Sequence, residues 1–190
     1  MGKIITVASG KGGVGKTTLT ANLGIALSQM GKKVLLVDAD IAMANLSLLL
    51  AMQGSPITLH DVLLGESSIE DAIYDGPTGL NFIPSGLSLE SYRRVDSERL
   101  ESVVRSVAEN YDFVLMDAPA GIEKNVMASL AAADEILLIT IPNSPSIADV
   151  LKTKLVAQRL GSNPIGVVVN FSVGEKGEVS SDDIMKMLEL

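Results

Sequence analysis

The sequence predicts an α/β fold in which helices cover both faces of a mostly parallel sheet, giving three layers in the order α/β/α. Apolar runs of strand length alternate with longer segments of helical period along the chain. Glycine, proline or aspartate separates these segments, as expected for βαβ units. The apolar runs are rich in valine, isoleucine and leucine, which suits strands that are buried on both faces.

Six strands are predicted, over residues 4–8, 34–38, 80–84, 113–117, 136–141 and 165–170. The first helix is predicted over residues 16–30, where apolar residues repeat on one face and Gly31 follows as a stop. Further helices are predicted from Asp96 or Ser97 to Asn110, over residues 147–160 and over residues 180–190. Short helices are expected between residues 42 and 74.

Length and composition limit the classes of function. A chain of 190 residues is expected to form one domain, residues 1–190. A net charge of −8 makes general binding to nucleic acid unlikely, although Arg93 and Arg94 are candidate contacts for a partner or DNA if they do not simply face solvent. The absence of cysteine excludes disulfides, thiolate catalysis and iron–sulfur ligation. No signal-peptide pattern or membrane-spanning apolar stretch is present, so we expect a cytoplasmic protein.

The segment between the first predicted strand and helix reads Gly-Lys-Gly-Gly-Val-Gly-Lys-Thr, residues 10–17. Bare glycine backbone and a helix N-terminus together attract phosphate groups. Lys16 can reach the β- and γ-phosphates, and the Thr17 hydroxyl can ligate Mg²⁺. The alternative is a glycine-rich turn that only caps the helix, but the strand before it and the helix after it favour a phosphate site. The predicted nucleotide contacts here are Gly10, Lys11, Gly12, Gly13, Val14, Gly15, Lys16, Thr17 and Thr18.

Lys11 is a second lysine in this loop that the general phosphate-loop pattern does not require. It is either a solvated loop charge or a group that reaches phosphates bound to a partner subunit, as an arginine finger does in trans.

Acidic residues follow two of the predicted strands. Asp38 and Asp40 lie two residues apart, so both can face the same side if the strand geometry continues. One could support Mg²⁺ or a water and the other could orient the attacking water, or either could cap the next helix. Asp117 ends another apolar strand and is predicted to hold Mg²⁺ through water. Gly121, in the bend that follows, could donate its N–H to the γ-phosphate in a loop that moves on hydrolysis.

Asn170, at the end of the last predicted strand, bears on the choice of base. Guanine-specific proteins of this kind have Asn-Lys-x-Asp at this place, whereas this chain has Asn170-Phe171-Ser172-Val173. A side-chain amide can bond to the N6 and N7 positions of adenine, which favours ATP. The alternative is an asparagine in a turn.

Residues 11–18 resemble the deviant Walker A motif of the MinD/ParA family of ATPases. The resemblance extends from residue 3 to residue 170 and is strongest to MinD. It implies a P-loop NTPase fold, the cofactors ATP or ADP and Mg²⁺, and a homodimer that encloses two ATP molecules. In that family the first lysine of the motif is the trans contact, so Lys11 joins Lys16 among the implied catalytic residues.

Residues 37–46 are similar to the first switch of the family, in which the second aspartate positions the nucleophilic water. Asp40 is therefore the implied hydrolytic residue, and Asn45 is an implied nucleotide contact. Residues 117–123 resemble the Asp-x-Pro-Ala-Gly-Ile-Glu stretch of MinD. The expected Mg²⁺ site thus comprises Thr17, Asp38 and Asp117.

The resemblance implies a slow ATPase that a protein activator stimulates and that acts as a switch in choosing the cell-division site or positioning a cellular structure. MinD proteins carry further sheet elements and often a membrane-targeting helix at the C-terminus. We expect residues 1–190 to lack both, so that the inner face of the membrane would be reached only through such a segment. Two departures are Ile141-Pro142-Asn143 in place of Asn-Pro-Glu, and Phe171 in place of an arginine.

Two other functions are compatible with the same motifs. A ParA-like ATPase that partitions DNA would need a basic surface, which the net charge of −8 disfavours. A nucleotide sensor without turnover would be favoured only if Asp40 proved dispensable.

Overall fold

A seven-stranded sheet lies at the centre of the computed structural model, which describes residues 2–41, 45–86 and 96–190. The strands are β1 (Lys3–Ala8), β2 (Val34–Asp38), β3 (Tyr74–Asp75), β4 (Asn81–Ile83), β5 (Phe113–Asp117), β6 (Glu135–Thr140) and β7 (Asn163–Val169). Their order is β3-β4-β2-β5-β1-β6-β7, and every neighbouring pair is parallel except β3 with β4. The strand that precedes the glycine-rich loop is therefore interior to the sheet.

Helices cover both faces of this sheet. They are α1 (Lys16–Gln29), α2 (Leu46–Leu49), α3 (Leu59–Leu64), α4 (Leu100–Ala108), α5 (Lys124–Ala131), α6 (Ser144–Arg159) and α7 (Ser181–Leu188). Helices α1 and α2 contribute to one apolar cluster, and the other five helices contribute to the cluster on the opposite face. The predicted three-layer α/β/α fold with a mostly parallel sheet is confirmed.

Strand β2 illustrates why the apolar runs lack polar alternation. Leu35 and Val37 pack into the cluster under α3 to α7, whereas Val34 and Leu36 pack into the cluster under α1 and α2. Successive side chains of a strand point to opposite faces, so a strand covered on both faces needs apolar residues at every position.

The six predicted strands are present, two of them with the predicted ends and four with an end shifted by one or two residues, and β3 was not predicted. The helix expected over residues 147–160 begins three residues earlier, because the Asn143 side chain accepts a hydrogen bond from Ser146 N at 3.0 Å and caps the helix. Asp96 caps a 3₁₀ turn that leads into α4, and Ser180 caps α7. The short helices expected between residues 42 and 74 are present as α2 and α3, but residues 42–44 lie outside the described residues, as do the candidate contacts Arg93 and Arg94.

In the described ranges, no helix has both the length and the apolar character that a bilayer crossing requires.

Candidate functional site

A cleft of about 800 Å³ opens at the carboxyl ends of the strands, where the loop after β1 leads into α1. Ligands of open parallel sheets bind at this edge, because the loops that follow the strands converge there. Six predicted site residues outside the glycines line the cleft, namely Lys11, Lys16, Thr17, Thr18, Asp40 and Asn45. The structure therefore gathers residues from the β1–α1 loop and from the segment after β2 around one space.

The glycine-rich loop presents bare backbone to this cleft. At Gly12 and Gly13, an added Cβ would meet no atom within 4 Å, so these residues border open space. Gly15 has φ of 93° and precedes the first turn of α1, a backbone conformation that L side chains seldom adopt. Gly10 faces away from the cleft, and a Cβ there would overlap the backbone of Asp149 in α6. The loop thus combines an anchored base with an open surface of backbone N–H groups, which suits a phosphate chain.

Lys16 and Asp117 form a buried ion pair at the floor of the cleft. The Lys16 ammonium lies 2.8 Å from Asp117 Oδ1, and the two side chains are only 9% and 2% exposed. The Thr20 hydroxyl lies 3.4 Å from the same carboxylate oxygen. Asp117 ends β5 and Lys16 begins α1, so the parallel pairing of β1 with β5 brings together residues that are 101 positions apart.

Asp38 lies opposite Asp117 in the register of β2 with β5 and is completely buried. Its two carboxylate oxygens accept hydrogen bonds from the backbone N–H groups of Asp40 at 3.2 Å and Leu46 at 3.1 Å. Burial, and secondly the negative charge of Asp117, raise the pKa of Asp38 to about 7. Asp38 therefore ties both ends of the segment from residue 40 to residue 46 to the sheet, a contact that sequence reasoning did not anticipate.

The residues present fit the predicted Mg²⁺ site. Two carboxylates at neighbouring strand ends, with a threonine hydroxyl at the start of α1, supply the oxygen ligands that Mg²⁺ prefers. Asp38 and Asp117 lie opposite each other at these strand ends and both are buried, so a divalent cation would offset their mutual repulsion. These ligands would be Thr17 and Asp117, with Asp38 beside them.

Four residues that were predicted to contact the nucleotide do not line the cleft in this structure. Gly10 packs on α6, and the Val14 side chain is buried in a cluster with Val7 and Ile139. The Asn170 side-chain amide donates to the Val14 carbonyl at 2.9 Å, so it joins the end of β7 to the phosphate loop. Gly121 N–H donates to Ser9 O at 3.3 Å. The assigned contacts of Asn170 with adenine and of Gly121 with the γ-phosphate therefore stay predictions.

Three exposed apolar side chains at the mouth of the cleft, which we call the apolar rim, were not predicted as site residues. They are Leu48, Leu49 and Phe171. The sequence contained a signal for the two leucines, because a helix of four residues such as α2 cannot bury all of its apolar side chains and here buries only Leu46. Lys11 is also exposed at this mouth. The entrance to the cleft thus combines apolar surface with a cation.

Comparisons with known proteins agree with this geometry. Residues 2–156 match the family model described as an AAA domain. An uncharacterized ATP-binding protein of Methanocaldococcus jannaschii is 45% identical over 98% of this chain and 70% of its own length. The septum site-determining protein MinD of Thermotoga maritima is 34% identical over the whole of this chain and 73% of its own length.

Solved structures extend the comparison. The septum site-determining protein MinD of Pyrococcus horikoshii, complexed with Mg-ADP, superposes with a TM-score of 0.96 at 37% identity, covering all of this chain and 79% of that one. The MinC:MinD cell division protein complex of Aquifex aeolicus includes a chain that matches with a TM-score of 0.86 at 34% identity, covering 98% and 78%. The loop that carries Lys11 and Lys16 and the aspartates that end two strands agree with these likenesses. The chain belongs to the MinD family of P-loop ATPases, which use ATP or ADP with Mg²⁺.

Proposed function

We propose that this chain is an ATP-dependent switch that dimerises when ATP is bound and acts as a MinD-like spatial regulator, in cell-division site selection or the positioning of a cellular structure. The observation that carries the proposal is the position of Lys11, which is exposed at the mouth of the cleft. Lys16, at the floor of the same cleft, is the lysine available to phosphates bound by this chain itself. A cation placed at the mouth is suited to phosphates held by a second copy of the chain.

The proposed binding step begins at the buried ion pair. Lys16 exchanges Asp117 for the β- and γ-phosphates, while the N–H groups of the glycine loop hold the phosphate chain. Thr17 and Asp117, with Asp38 beside them, would hold Mg²⁺, which would neutralise charge on the phosphates during transfer. Before nucleotide binds, Lys16 and Asp117 neutralise each other; afterwards the phosphates would neutralise Lys16 and Mg²⁺ would neutralise Asp117. Both groups thus have a partner of opposite charge in each state.

The proposed hydrolytic step depends on Asp40. It lines the cleft, and its backbone N–H is bonded to the Asp38 carboxylate, so its position is coupled to the metal site. Asp40 orients the attacking water towards the γ-phosphate. Because Lys11 acts on the other subunit, turnover requires the dimer, and we expect the isolated chain to hydrolyse ATP slowly.

Dimerisation would cover Leu48 and Leu49 of the apolar rim. Both are more than half exposed although they are large and apolar, and burying them contributes to association. Activation by a protein partner, and peripheral association with the membrane, are parts of the same proposal. Nucleic acid is an unlikely partner for a chain of net charge −8.

The test is phosphate release from Mg-ATP measured over a range of protein concentrations. We expect the rate per chain to rise with concentration, because the complete site needs two copies. Lys11→Ala should remove this rise, Asp40→Ala should abolish release, and the exposed control Lys33→Ala should change neither. A rate per chain that is independent of both concentration and Lys11 would contradict the proposal. Cosedimentation of the ATP-bound protein with DNA but not with liposomes would favour the ParA-like function instead.

A further inference from the structure

A second cleft, of about 320 Å³, lies beside the phosphate cleft, and Phe171 lines both of them. Its other walls are residues 141–143, which follow β6, and residues 175–178, in the loop after β7. It therefore lies at the carboxyl edge of the sheet, where nucleotides bind to folds of this kind. The wall formed by Ile141 and Pro142 is apolar, so the cleft pairs an apolar wall with an aromatic ring.

Phe171 is an unusual residue for an exposed loop. Its side chain is 61% exposed, and its φ of 54° lies in the left-handed region that few non-glycine residues occupy. Such a conformation persists only where the surroundings hold it, and such positions concentrate at functional sites. The ring contributes little to the core, so its packing there does not account for its placement.

The backbone on both sides of Phe171 is held by specific bonds. Asn170 N–H donates to Thr140 O at 2.8 Å, and the Asn170 side chain is bonded to Val14 in the phosphate loop. On the other side, the Glu178 carboxylate accepts from Val173 N at 3.0 Å and from Gly174 N at 3.2 Å. These backbone bonds lower the pKa of Glu178 and keep it charged. Phe171 is thus presented by a loop that is fixed at both ends and joined to the phosphate site.

We propose that Phe171 stacks on the base of the nucleotide whose phosphates occupy the loop of residues 10–17. This inference rests on the proposed function, because it requires a nucleotide in that cleft. An aromatic ring binds the face of any base and does not read its edge. Phe171 therefore supplies affinity for purine nucleotides in general, and the edge-reading aspartate of guanine-specific proteins is absent, since Val173 stands at its position.

The test compares the dissociation constants of ADP, GDP and inorganic tripolyphosphate by titration calorimetry with Mg²⁺ present. ADP is used because the proposed function couples dimerisation to ATP and not to ADP. Phe171→Ala should weaken ADP and GDP by similar factors, about tenfold or about 1.4 kcal/mol, which is the size of loss expected when a base loses one aromatic stacking partner. Tripolyphosphate has no base, so its affinity should not change. Phe171→Tyr should retain the affinity of the wild-type chain for all three ligands.

The matched control is Val173→Ala, which removes an apolar side chain that is 72% exposed on the same loop. It should leave all three affinities unchanged, and thermal melting should show that each variant folds. Unchanged ADP affinity in Phe171→Ala would overturn the inference, as would an equal loss for tripolyphosphate or a loss for ADP without one for GDP. A wild-type chain that binds neither ADP nor tripolyphosphate would contradict the proposed function, and the inference with it.

Discussion

Replacing Lys16 with methionine tests the buried ion pair at the floor of the cleft. Methionine preserves most of the side-chain volume, so the principal change is that Asp117 loses its cation. Asp117 is 2% exposed and lies beside Asp38, another buried carboxylate, so no solvent replaces the lost ammonium. Removing one partner of a buried pair costs about 3–5 kcal/mol. We therefore expect Lys16→Met to lower the free energy of unfolding of the nucleotide-free protein by about that amount.

The double variant Lys16→Met/Asp117→Asn should recover much of this loss. Removing both charges leaves no uncompensated ion in the interior, and such replacements are often close to neutral. The measurement is urea denaturation of the wild-type chain, both single variants and the double variant, with chelator and without nucleotide. The double-mutant cycle then isolates the interaction between the two side chains.

An exposed ion pair in the same protein provides the control. Lys3 lies 2.7 Å from Glu135, but its side chain is 59% exposed. Lys3→Met should therefore change the free energy of unfolding by less than about 1 kcal/mol. Our reasoning would be refuted if Lys16→Met were no more destabilising than Lys3→Met, or if the double variant were no more stable than Lys16→Met.

Two further predictions concern packing and pH. Gly10→Ala would press a methyl group against the Asp149 backbone and should lower the free energy of unfolding by about 1–3 kcal/mol, measured by urea denaturation. Gly12→Ala places its methyl group in open space and should change that free energy little. Equal losses in the two variants would contradict this prediction. Burial lowers the pKa of His60, in α3, from its usual 6.5. As pH falls below 6.5, the unfolded chain therefore binds the proton more readily than the folded chain does. The free energy of unfolding then decreases by up to about 1.4 kcal/mol per pH unit. His60→Gln should reduce this slope in unfolding measurements across that range, and an unchanged slope would show that His60 is not its source.

The elements that could be predicted from the sequence have local signals. Residues 113–117 form an apolar run ended by an aspartate, and the phosphate loop joins a strand to a helix within eight residues. Strand β3 could not be predicted, because its two residues pair only with β4 and the Tyr74 hydroxyl is bonded to Ile57, 17 positions earlier. The start of α6 was placed three residues too late, although Asn143 and Pro145 are of types that favour the N-cap and the first turn of a helix.

The candidate site could also be predicted only in part. The residue types at the strand ends indicated phosphate and metal chemistry, but their contacts depend on tertiary structure. The Lys16–Asp117 pair joins residues 101 positions apart, and the bond from Leu46 N to Asp38 depends on how the chain returns after β2. Asn170 shows the limit most clearly. Its amide was assigned to the base, whereas the structure shows it bonded to the phosphate loop, a contact over 156 positions.

ATP-dependent dimerisation is the central claim, and the molar mass of Asp40→Ala in solution tests it most directly. Size-exclusion chromatography with light scattering should give twice the chain mass of 19.9 kDa with Mg-ATP, because the dimer forms and cannot turn over. With Mg-ADP the mass should be that of one chain, and adding Lys11→Ala should prevent the ATP dimer. A mass of one chain with Mg-ATP, in a sample shown by calorimetry to have bound ATP, would contradict the account.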